Sequence, residues 1–86
     1  MTTINLSDNE ALVLFDFLAR EIDANQEKRL WTVIDHQAEF WALISVQGAL
    51  EKIRGEPFAS NYGELVALAR QKVMARCDPE GSYPRP

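Results

Sequence analysis

The order of apolar and polar positions along the chain predicts three helices joined by polar or irregular segments. At the start, Ile4 and Leu6 alternate with polar neighbours, the pattern of a brief strand over residues 2–6. Ser7-Asp8-Asn9-Glu10 then reads as a capping box, with the Ser7 hydroxyl and the Glu10 carboxylate each satisfying the other residue's amide. It opens a first helix over residues 8–22. Residues 22–28 are polar and leave the helix. Arg29-Leu30-Trp31-Thr32-Val33-Ile34 is rich in β-branched and aromatic side chains, so residues 29–34 are read as a strand that would pair with residues 2–6. A helix continued from Ala24 is the other reading of that stretch. Asp35 supplies an N-cap for a second helix over 36–54, which Gly55 and Pro57 end. Asn61-Tyr62-Gly63-Glu64 is a second capping box and opens a third helix over 62–76. Residues 78–86 hold three of the four prolines and one of the four glycines, the composition of an irregular tail. The fold class is therefore mainly α: a single helical domain over 1–77, with a possible short ribbon.

Projected at 100° per residue, the helices differ in how much apolar surface they carry. In the first helix Ala11, Leu12, Leu14, Phe15, Leu18, Ala19 and Ile22 share one broad core arc. Val13 and Phe17 lie across from it, among Asp16, Arg20 and Glu21. In the second helix Ala38, Ala42, Leu43, Val46, Ala49, Leu50 and Ile53 form one face. Phe40, Trp41 and Ile44 fall on the other, with Gly48 one turn beyond Ile44. Two readings compete for this second face. Either a partner covers it, or helix 2 is central and is covered on both sides by its own chain, with Trp31, Val33 and Phe58 contributing. The partner reading is preferred, because a short chain has few elements to cover two faces. It marks Val13, Phe17, Phe40, Trp41, Ile44 and Gly48 as candidate interface residues. In the third helix Tyr62, Leu65, Val66, Ala69, Val73 and Cys77 line one arc, and Arg70, Gln71 and Met74 look outward.

Length and charge limit what the domain can do. Its 86 residues make one small domain, and such domains either pack their helices very well or gain burial by oligomerising. With 9 Lys+Arg against 13 Asp+Glu, the net charge is −4. An acidic chain lacks the basic stripe that supplies nucleic-acid affinity and is repelled by anionic membranes. Its longest apolar runs, 11–15 and 40–44, are far too short to span a bilayer. The opening residues carry no positive charge and no signal-type stretch, and the one cysteine, Cys77, has no partner for an internal disulfide. These features point to the cytoplasm.

Candidate chemistry is sparse. Asp35-His36-x-x-Glu39 sets His36 and Glu39 one helical turn apart, but a metal site needs three or four ligands and the chain has no second histidine. Cys77 sits near a helix C-terminus, where the dipole disfavours a thiolate, and reads as a small buried hydrophobe. The glycines are scattered and form no phosphate-binding loop. No catalytic set, metal or cofactor is expected.

The stretch from Leu6 to Arg20, LSDNEALVLFDFLAR, together with Asp35-His36-Gln37-Ala38-Glu39, Leu50-Glu51-Lys52 and Pro57-Phe58 followed by Tyr62-x-Glu64-Leu65, resembles a group of small uncharacterised bacterial proteins. That group has an LSxxEAxVLFxxLAR-like opening and a PFxxxYxELxxxAR-like end. The resemblance covers residues 4–76 and consists mostly of capping and core positions. The chain departs from it at His36 and at Phe40-Trp41. It implies the same three helices and a bacterial, cytosolic setting, and it carries over no site residue. Taken together, the sequence leads to a non-catalytic interaction module that self-associates, as a dimer, through the second apolar face. The alternative is an acidic inhibitor or immunity-type protein that binds a basic partner.

Overall fold

A computed structural model describes residues 2–51 and 60–81. Helix α1 spans Asp8–Leu18 and continues as a π-helical segment over Ala19–Ala24. A 3-10 turn covers Leu30–Thr32, α2 spans Gln37–Glu51 and α3 spans Tyr62–Cys77. The domain is mainly α, with three long helices. No strand occurs among the described residues, so the ribbon expected over 2–6 and 29–34 is absent. Ile4 stays exposed, and the second half of that ribbon winds into the 3-10 turn, closed by Val33 N–H to the Leu30 carbonyl at 3.0 Å. The end of the second helix expected at 54, with Gly55, Pro57 and Phe58, lies outside the described residues.

The opening cap forms as read. The Ser7 hydroxyl accepts from Glu10 N–H at 3.1 Å, and Ser7 N–H donates to Glu10 Oε1 at 2.9 Å. The other two caps differ. At α2 the His36 imidazole, not Asp35, supplies the acceptor: its Nδ1 takes Ala38 N–H at 3.0 Å. The Glu39 carboxylate reaches back to Asp35 N–H at 3.0 Å. At α3 the Asn61 side chain makes no capping bond; its backbone carbonyl takes the Glu64 and Leu65 amides instead.

Packing centres on α1, which is apolar around more than half of its circumference. On one flank Ala11, Phe15, Leu18 and Ile22 bury with Leu30 and Leu50, and Leu43 and Ile44 of α2 close over them. On the other flank Leu12 buries against Val66 and Ala69, with Val13, Tyr62 and Leu65 at the edge. The buried stripe of α2 holds Phe40, Gln47 and Leu50, with Leu43 and Ile44 half-buried. These positions follow a spacing of three and four residues, one helical face. The face is rotated by about one residue from the expected one, and Ala38, Ala42, Val46 and Ala49 are turned to solvent. Bulk decides this: Phe40 and Ile44 bury more surface than the alanines would. Cys77, expected inside, is exposed on the last turn of α3.

Polar contacts fix how the elements meet. Asp16 takes the Tyr62 hydroxyl at 2.9 Å and the Arg70 guanidinium at 3.1 Å, so a residue read as half of a surface pair joins α1 to α3. Arg76 reaches Glu10 at 3.1 Å near the far end of the same interface. Gln47 of α2 donates to Asp23 at 3.1 Å. Glu21, expected on the outer side of helix 1, is only 5% exposed. It receives both arms of Arg29, Nε at 3.0 Å and Nη2 on the other oxygen, and the Asn25 amide at 3.2 Å.

Between Glu21 and Arg29 the chain turns through two consecutive left-handed residues, Gln26 at φ 53° and Glu27 at φ 66°. Neither is glycine, so each costs about 1–2 kcal/mol. The turn returns hydrogen bonds to the helix end, Asn25 N–H to the Arg20 carbonyl at 2.8 Å and Glu27 N–H to the Glu21 carbonyl at 3.0 Å.

These contacts make the fold acid-sensitive. Arg29 holds the Glu21 carboxyl below its ordinary value of 4.5, and the Ser7 amide and hydroxyl do the same for Glu10. A carboxyl with a lowered folded-state pKa stabilises the fold above its unfolded value and loses that contribution as pH falls through the folded value. Urea midpoints measured from pH 7 downward are expected to hold until about pH 4.5 and then drop. Glu21→Gln is expected to lower the midpoint at pH 7 and to flatten that drop. An acid limb of equal depth in the variant would show that Glu21 does not contribute to it.

Candidate interaction surface

The structure separates the six residues singled out from the sequence. Phe40 is buried, at 6% exposure, and Ile44 is half-buried against the α1 core. Val13 is half-buried at the edge of the α1–α3 contact. Gly48 is half-buried, and among the described residues nothing lies within 4 Å of where its Cβ would stand, so none of them requires a glycine there. Trp41 and Phe17 face solvent, at 62% and 42% exposure. The supposed second face is therefore divided: its inner part belongs to the core and its outer part is surface.

What the structure brings together instead is an aromatic cluster around Phe40. Trp31, carried by the 3-10 turn, stacks on the Phe40 ring with centroids 5.2 Å apart and planes 25° from parallel. Trp41 meets the same ring edge-on, at 5.4 Å and 74°. Phe40 is thus flanked by two indoles, each with much of its own surface in water; Trp31 remains 44% exposed. The Trp31 indole N–H donates to Glu27 Oε2 at 3.3 Å, which ties the ring to the left-handed turn. Trp31 was considered from sequence only as a cover for helix 2. Its signal was the lone tryptophan in an apolar run between two polar stretches, and the strand reading hid which ring it would meet.

A second apolar feature lies beside the Glu21–Arg29 pair. Phe17, Leu30 and Val33 line an open groove of about 400 Å³ together with Arg20, Glu21 and Arg29. The Arg20 guanidinium sits 5.5 Å from the Phe17 ring centroid, a cation–π contact at the rim. Both guanidinium groups are engaged by Glu21.

His36 and Glu39 are engaged in capping α2. Among the described residues no three or more His, Cys, Asp or Glu side chains are grouped as a metal site would need. None of the described helices is long and apolar enough to cross a membrane. No protein-family model, curated protein or solved structure matches the chain.

The division of the face is directly measurable. Phe40→Ala is expected to cost about 3 kcal/mol or more in urea unfolding, as for a buried aromatic. Trp41→Ala is expected to cost under about 1 kcal/mol, the loss of one exposed edge contact. Equal costs at the two positions would mean that Trp41 is core as well.

Proposed function

We propose that the protein is a non-catalytic protein-interaction module whose contact surface is formed by Trp31 and Trp41. The observation that carries this is the pair of large exposed indoles held in place by one buried ring. Aromatic side chains ordered before binding lose little freedom when a partner arrives, and they are the usual energetic anchors of protein interfaces.

Self-association through the second apolar face keeps only part of its expected surface. Of the interface expected for a dimer, Phe40 and Ile44 are committed to the core, leaving Trp41 and Phe17 exposed and Val13 and Gly48 half-buried. The alternative, a basic protein bound by an acidic one, draws support from the charges around the indoles. Residues 23–41 carry Asp23, Glu27, Asp35 and Glu39 against Lys28 and Arg29, and Arg29 is taken by Glu21. A bacterial, cytoplasmic setting fits either partner.

Photo-crosslinking tests the reading. Benzoylphenylalanine placed at Trp41 is expected to give a discrete adduct in source cells, competed by the unmodified protein but not by a Trp31→Ser, Trp41→Ser form. The same probe at exposed Leu68 on α3 is expected to give none. The adduct mass separates a homodimer from a different partner. Equal labelling at both positions, or none at either, would remove the reading.

A further inference from the structure

The charges of this domain are unevenly spent. Each arginine among the described residues, Arg20, Arg29, Arg70 and Arg76, is ion-paired to Glu10, Asp16 or Glu21 on the α1 side. Around the indoles the balance is reversed. Glu27 touches the Trp31 ring, Glu39 precedes Phe40 in the first turn of α2, and Glu39 holds the Asp35 amide. None of Glu27, Asp35 and Glu39 is ion-paired with a basic side chain among the described residues. Lys28 is the only other cation on the turn. The surface thus offers two exposed indoles, with Glu27 against one of them and Asp35 and Glu39 near in sequence, and none of these three carboxylates is ion-paired among the described residues.

We propose that Trp31 and Trp41 receive an arginine- or lysine-bearing segment of a partner protein, its cation over an indole face and within reach of Glu27, Asp35 and Glu39. The inference rests on reading this surface as a protein contact and names the chemistry of what it contacts. An indole face attracts a cation more strongly than any other side-chain ring, and flanking carboxylates raise its local concentration. The same charges oppose a second copy here. A two-fold contact centred on the indoles would bring these carboxylates of both molecules together, with only Lys28 of each turn left to offset them. Arginine fits better than lysine, because its planar guanidinium stacks on the indole while its edge meets a carboxylate.

The probe is a short peptide of alternating arginine and glycine, titrated at physiological ionic strength into isotope-labelled protein. The expected result is a saturable shift of the Trp31 and Trp41 indole N–H resonances. Trp41→Leu and the pair Glu27→Gln, Glu39→Gln are each expected to weaken binding by about tenfold. Both glutamines can still accept the hydrogen bonds that Glu27 and Glu39 accept, so the fold is kept. Glu64→Gln on α3 is expected to leave affinity unchanged, and replacing the arginines by citrulline to abolish binding. Shifts spread over acidic residues generally, with Trp41→Leu binding as well as wild type, would overturn the proposal. So would indole shifts that appear with protein concentration alone, since a second copy would then occupy the surface. A specific Trp41 crosslink without any response to the peptide removes the cationic partner and leaves the interaction reading standing. Loss of both removes both.

Discussion

The grip of Glu21 on Arg29 is the contact on which the exposed surface depends. A carboxylate so little exposed is stable only if its oxygens are filled, and Arg29 fills both, with Asn25 added. To deliver Arg29, the chain must reverse immediately after the π segment, which it does through Gln26 and Glu27 at a backbone cost that glycine would have avoided. That reversal sets Leu30 into the core beside Ile22. It also leaves Trp31 lying on Phe40. The ion pair works together with Leu30 in the core and with the Trp31 indole N–H on Glu27 to hold Trp31 against that ring.

The rest of the fold explains why such pinning is needed. A small domain buries a limited share of its surface, and here α1 supplies the apolar face for both other helices. Leu12 serves α3 while Ala11, Phe15 and Leu18 serve α2, so neighbouring residues of one helix face two partners. α3 buries only Val66 and Ala69, and Asp16 and Glu10 add the directional bonds to Tyr62, Arg70 and Arg76 that set its position. Apolar burial brings the helices together, and Asp16 and Glu10 on α1 decide where α3 stops.

Much of the architecture was legible in the sequence where local chemistry governs. The Ser7–Glu10 box, the core arc of α1 and the start of α3 at Tyr62 are all written within a few residues of one another. The errors arose where long-range contacts decide. Periodicity alone placed Ala42, Val46 and Ala49 with Leu43 and Leu50, because an apolar helix has two possible faces and their choice depends on bulk and on what waits opposite. Residues 29–34 have strand-like composition, yet they wind into a 3-10 turn because Arg29 answers to a glutamate eight residues earlier. His36 capped α2 in place of Asp35, a substitution no propensity favours. Of the candidate site, Trp41 and Phe17 were found as exposed aromatics. Trp31 was missed as an anchor, since its exposure follows from the tertiary turn and not from any local pattern.

The central claim is that the Glu21–Arg29 pair positions Trp31 on Phe40. Arg29→Met keeps most of the side-chain stem and removes the charge and donors. Proton NMR of this variant, alongside far-ultraviolet circular dichroism, tests the claim most directly. The account predicts that helix content is kept while the Trp31 ring protons lose the upfield shift caused by stacking on Phe40. Trp31 resonances unchanged in a folded Arg29→Met protein would contradict it.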